Sequence, residues 1–158
     1  MPLSACALRA FPRDLDEELR FRGLSLTVSP QISLNYVIGE LRPMEEEVQA
    51  LQELLLDDED CVYRMGGYAD QLQATDPYLE AQLVSNGLYC GDGSGYREGK
   101  KLGLEEGSAN WRLLLQVDTD SRTGMYWGDG DGRIFYMIRE SDLRHRNFAD
   151  VWLILQCT

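Results

Sequence analysis

The sequence predicts an α+β fold, mainly antiparallel sheet with two or three helices, in a single domain spanning 1–158. Three observations predict it. Short apolar runs of strand composition alternate with turn residues. Segments with helical apolar spacing fall between some of those runs but not all of them, so hairpins interrupted by helices are expected rather than a regular βαβ series. The chain has 158 residues, 44% hydrophobic and 27% charged, enough to bury roughly two-thirds of its unfolded surface around one core.

The elements follow in order. LSLTV (24–28) and ISLNYVI (32–38) read as strands joined by the turn Ser29-Pro30-Gln31. Pro43 suits the first turn of a helix in which Met44, Val48, Leu51 and Leu55 recur at i, i+4, i+7 and i+11, forming one apolar stripe. CVYRM (61–65) reads as a short strand ended by Gly66-Gly67. Pro77 opens a second helix, PYLEAQLVSNGLY, with Leu79, Leu83 and Val84 inward and Asn86-Gly87 as its stop. Residues 91–109, rich in Gly, Ser and charge, read as a long loop. WRLLLQVD (111–118), RIFYMIR (133–139) and VWLILQ (151–156) read as buried strands, with TDSRTG as a turn. SDLRHRNFAD reads as a short helix capped by Ser141 or Asp142.

The formal charge is −12, and residues 40–60 hold nine acids against Arg42 alone, a net −8. Phosphate binding requires the opposite sign, so direct nucleic-acid binding is disfavoured. A basic protein partner is favoured, since complementary fields speed and select encounters; a solvated acidic face is the plainer alternative. No apolar run reaches bilayer length, so no membrane partner is expected. The opening stretch MPLSACALRAFPRDLDEEL lacks the basic and long apolar segments of a secretion signal. A cytoplasmic location is expected.

Motifs that could carry chemistry are weak. Cys6, Cys61, Cys90 and Cys157 form no CxxC pair and read as reduced thiols. The single histidine, His145, lies between Arg144 and Arg146 on an expected surface helix, with no nucleophile placed beside it. A lone histidine excludes polyhistidine zinc sites. GDGSGYREGKK (91–101) falls one residue short of phosphate-loop spacing, and Lys101 stands where Ser or Thr belongs. Asp118, Asp120, Asp129 and Asp131 gather near one hairpin, where they could bind calcium or serve as paired carboxylates. They lack the calcium-loop spacing, and Asp-Gly is ordinary turn chemistry. Trp111 and Trp152 read as core, whereas Trp127, beside Tyr126 and acidic turns, reads equally as core or as a contact residue. No cofactor, metal or catalytic residue is expected.

One resemblance is specific. WRLLLQVDTD, GMYWGDGDGRIFYMIRESDL and RNFADVWLILQC, in that order and spacing, resemble the closing segment of the YwqG-like family of domains of unknown function, and YRMGGYADQLQ (63–73) resembles its glycine-tyrosine segment. The likeness spans about residues 61–157; Tyr63 stands where that family has His, and Ala69 where it has Pro. The N-terminal portion looks reduced. The resemblance implies an α+β fold without assigned catalytic residues, and an association with immunity proteins against bacterial polymorphic and type VI secreted toxins.

Two functions are therefore expected to compete. The first is a non-enzymatic immunity protein that occludes the active site of a cognate toxin, a basic nuclease being the best match in charge. Its contact residues would be Glu45, Glu46, Glu53, Asp57 and Asp58 off the helix stripe, with Trp127, Asp129 and Asp131 on the hairpin. The second is a small-ligand, metal-binding or hydrolytic domain using the Asp-rich hairpin 118–131.

Overall fold

The computed structural model describes residues 26–28, 30, 50 and 63–157. Among the described residues four strands form one antiparallel sheet in the order β1-β2-β3-β4: β1 Arg64–Met65, β2 Trp111–Asp118, β3 Arg133–Arg139 and β4 Trp152–Gln156. Helix α1 (Pro77–Val84) and helix α2 (Gly93–Lys101) lie between β1 and β2, and α3 (Glu140–His145) follows β3. The expected α+β architecture is therefore present.

Register divides the sheet into two faces. Trp111, Leu113, Phe135, Met137 and Ile154 form the core with Ala81 of α1. Along β2 the alternation is interrupted by a bulge between Leu113 and Leu115. The extra residue, Leu114, keeps Trp111 and Leu113 on the same face as Gln116, which pairs with Phe135. The opposite face carries Leu115 with Tyr136, Val117 with Ile134, and the β4 residues Leu153 and Leu155. VWLILQ was expected to be buried throughout, but Leu153 and Leu155 are each 49% exposed and Trp152 is also exposed. Leu153 and Leu155 lie on the face opposite the buried Ile154 and Gln156, and among the described residues β4 is the last strand of the sheet, so its side chains gain cross-strand neighbours from β3 on one flank only.

The α1 helix begins where Asp76 accepts the Tyr78 amide, with Pro77 in the first turn. It ends at Val84, and the expected stop at Asn86-Gly87 follows at once: Gly87 takes a left-handed φ of 80° and its amide donates to the Val84 carbonyl. The expected long loop at 91–109 is instead α2 followed by a 3-10 turn over Glu105–Asn110. Asp92 caps α2 through the Ser94 amide, and Lys100 and Lys101 occupy its negative C-terminal end. Its glycines permit close packing: a Cβ on Gly95 would lie 2.1 Å from the Tyr89 carbonyl oxygen, and one on Gly99 2.1 Å from Leu83 Cδ2. Glycine content read as flexibility is thus a contact surface spaced i, i+4 on one helix face.

Helix α3 starts at Glu140 directly after β3, with Arg139 at its N-cap and no side-chain cap bond, so neither Ser141 nor Asp142 is the cap. Tight succession from strand to helix leaves no room for the expected capping turn. Leu26, Thr27 and Val28 belong to no strand; β propensity becomes a strand only where a neighbour supplies ladder partners. Apart from Ala50, which is helical, the strand at 32–38 and the acidic helix expected after Pro43 lie outside the described residues.

Candidate functional site

The β2–β3 hairpin, residues 119–132, is built in two tiers. At its base, Asp118 and Arg133 are cross-strand partners. The Arg133 guanidinium donates from Nε to Oδ1 and from Nη2 to Oδ2, the latter at 2.7 Å. The pair is largely buried, with side-chain exposures of 11% and 13%, and Arg133 also donates to the Asp70 carbonyl. This is the bidentate geometry that a planar guanidinium favours.

Asp120 anchors the inner turn. Its carboxylate accepts Arg122 Nε and Nη2 at 2.9 Å each, the Arg122 amide at 2.9 Å, and the Tyr63 hydroxyl at 2.5 Å. Arg122 first, and Tyr63 second, hold this carboxyl well below the usual carboxylate range. The Asp120 amide donates to Met125, and its carbonyl accepts from Thr123 and Gly124. Thr119 then sets the outer tier: its hydroxyl accepts the Trp127 amide and donates to the Gly132 carbonyl.

That outer tier holds the expected contact residues. Asp129 and Asp131 are exposed, and Trp127 is half-buried, between the two readings open for it. Beside it Tyr126 is 58% exposed. The tip folds toward the end of β4, where a Cβ on Gly128 would lie 2.5 Å from Cys157 Cβ. The structure thus brings Trp127, Asp129 and Asp131 together on one turn. Glu45, Glu46, Glu53, Asp57 and Asp58 lie outside the described residues.

A second polar assembly fastens the segment after β1 to the sheet. Gln116 accepts the Asp70 amide and donates to its carboxylate, which also pairs with Arg64 at 2.5 Å. Gln156 accepts the amides of Leu72 and Gln73 and donates to the Thr75 carbonyl and to Glu80. Glu80, buried on α1, accepts the Tyr96 hydroxyl of α2 at 2.6 Å. Burial, and then Glu80, push the Tyr96 phenol above its usual range; burial also raises the Cys90 thiol, away from the thiolate a nucleophile needs. Gln82 joins Trp111 Nε1 to Arg139, whose guanidinium lies 4.5 Å from the Trp111 ring centre.

None of these pairings was identified from sequence. A signal existed for two of them, since Gln116 and Gln156 interrupt otherwise apolar strands and a buried amide requires partners. Cys90 and Cys157 are free thiols, and His145 is exposed with Nδ1 2.7 Å from the Ser141 carbonyl. Among the described residues no three His, Cys, Asp or Glu side chains cluster as a metal site would need. None of the described helices is long and apolar enough to cross a membrane.

Residues 12–157 match the model of a protein family described as a domain of unknown function, DUF1963. No curated protein matches the chain.

Proposed function

We propose that this chain, which belongs to the DUF1963 family, is a cytoplasmic immunity protein that binds a cognate bacterial toxin and occludes its active site without chemistry of its own. The observation that carries the reading is the division of labour in the hairpin. Its base is fixed by two bidentate arginine pairs whose carboxylates, Asp118 and Asp120, are buried, while its tip presents Tyr126, Asp129 and Asp131 to solvent. A fixed base lowers the entropy lost when an exposed tip docks. An exposed aromatic beside carboxylates suits a protein surface of positive charge. The likeness of residues 61–157 to YwqG-like domains supplies the toxin as the partner, and the net charge of −12 supports a cationic nuclease.

The alternative, a metal or hydrolytic centre on Asp118, Asp120, Asp129 and Asp131, is less well supported. Two of those four carboxylates are already committed to Arg133 and Arg122. A metal or catalytic pair would have to displace those partners.

Binding kinetics with the purified product of the adjoining gene test the proposal. Reversing Asp129 and Asp131 to lysine, and in a second variant Glu45, Glu46, Glu53, Asp57 and Asp58, should each slow association, strongly at low salt and less at high salt. Unchanged association in both variants would reject an acidic contact surface. Turnover of a substrate by the isolated chain, lost on Asp129→Ala, would favour the hydrolytic alternative.

A further inference from the structure

We infer that Tyr63 is a positioning residue for the binding hairpin, latching its inner turn to the sheet through Asp120; the inference deepens the proposed function and rests on it. The hydroxyl of Tyr63 reaches a carboxylate 57 residues further along the chain, at 2.5 Å. That carboxylate is the hub of the inner turn: its side chain is only 2% exposed, and it already holds the Arg122 guanidinium and amide. Tyr63 is itself held, because the next residue, Arg64, pairs with Gln116 in the sheet and with the Asp70 carboxylate. The constraint thus runs from β1 through one phenol to the turn 120–125, which is closed by the Asp120–Met125 bridge. From Asp120 it passes to the adjacent Thr119, whose hydroxyl fixes the Trp127 amide at the base of the tip. A phenol suits this task because its ring has few rotatable bonds, so one hydrogen bond fixes position at small entropic cost.

The chemistry separates this role from charge. Tyr63→Phe deletes one hydroxyl and no charge. A hydrogen bond to a carboxylate is lost, and amide exchange at Arg122, Thr123 and Gly124 should become about tenfold faster, with the folded-to-unfolded ratio falling by no more than a similar factor. Dissociation from the adjoining gene product should be about tenfold faster, by the same factor at low and at high salt, whereas lysine at Asp129 acts on association and depends on salt. Asp120→Asn provides the second variant. The double variant should exchange no faster than Asp120→Asn alone, because the hydroxyl acts through that carboxylate.

The exchange measurement needs no partner, so it judges the latch even if the adjoining gene product does not bind. Unchanged exchange at 122–124 in Tyr63→Phe overturns the inference. Faster exchange with unchanged dissociation also overturns it, since the latch would then not serve binding. Failure of the underlying functional reading shows separately, as no binding of the adjoining gene product by the unaltered protein, or as unchanged association in both charge-reversal variants.

Discussion

Asp118 and Asp120 at the base of the hairpin and Asp129 and Asp131 at its tip are the same residue type within fourteen positions of one another, yet they have opposite surroundings. The first two are buried and accept guanidinium groups; the second two project from a glycine-rich turn. The difference comes from what stands opposite. Asp118 faces Arg133 across the ladder, and Asp120 has Arg122 two residues on, within an Asx-type turn. Asp129 and Asp131 alternate with Gly128, Gly130 and Gly132, which provide curvature and no counter-ion. An acidic motif therefore acquires chemical meaning only once its partners are known. Here the partners divide one motif into a structural half and a presenting half.

The largest test of that division is Asp118→Ala. It leaves a nearly buried guanidinium without its carboxylate, which costs about 3–5 kcal/mol, equivalent to a fall in melting temperature of roughly 6–20 °C at about 2–4 °C per kcal/mol. The pair as a whole need not be stabilising. Replacing both partners by apolar residues, Asp118→Leu with Arg133→Met, should recover much of the loss. Calorimetry of the single and double variants decides this, and a loss below about 1 kcal/mol for Asp118→Ala would place the base carboxylates with the tip.

A smaller effect is expected at Asp120, and it depends on pH. Arg122 and Tyr63 hold its carboxyl below the ordinary value, which in the unfolded chain is about 3.9. A depressed folded value means that the stabilisation is complete above about pH 4 and is lost as pH falls below it toward the folded value. Asp120→Asn should lower the urea midpoint at neutral pH and make its decline between about pH 4 and 2 shallower than in the unaltered protein. Parallel declines in the two proteins would show that this carboxyl does not contribute to acid unfolding.

How much of this was legible in the sequence follows from range of interaction. The strand runs at 111–118, 133–139 and 151–156 were legible because period and composition are local properties, and the structure places strands at nearly the same positions. Helix α2 was not, because glycine at 95 and 99 reads as a breaker until Tyr89 and Leu83 are found packed against it. Exposure of Leu153, Leu155 and Trp152 was not legible either, since apolar content does not reveal a strand's place in the sheet. In the hairpin, the turn and its tip acids could be read directly. The Tyr63–Asp120 bond, like those of Gln116 and Gln156, joins residues far apart in the chain, and only the fold brings them together.

The smallest effect should come from the tip. Asp129 and Asp131 are exposed, and surface substitutions away from caps and buried pairs usually change stability within about ±0.5 kcal/mol. Asp129→Ala and Asp131→Ala should therefore each move the melting temperature by no more than about 2 °C, and both together by no more than about 4 °C. The backbone of the turn does not depend on these side chains: the Thr119 hydroxyl and the bond from Gly130 N–H to the Trp127 carbonyl hold it. Removing both carboxylates should also leave amide exchange at Arg122–Gly124 unchanged, because the inner turn is fixed from Asp120. If the double alanine variant instead unfolds as readily as Asp118→Ala, the tip acids are structural, and the contrast between base and tip disappears. If stability holds while association with a basic partner slows, the two halves of the motif separate by experiment as they do by geometry.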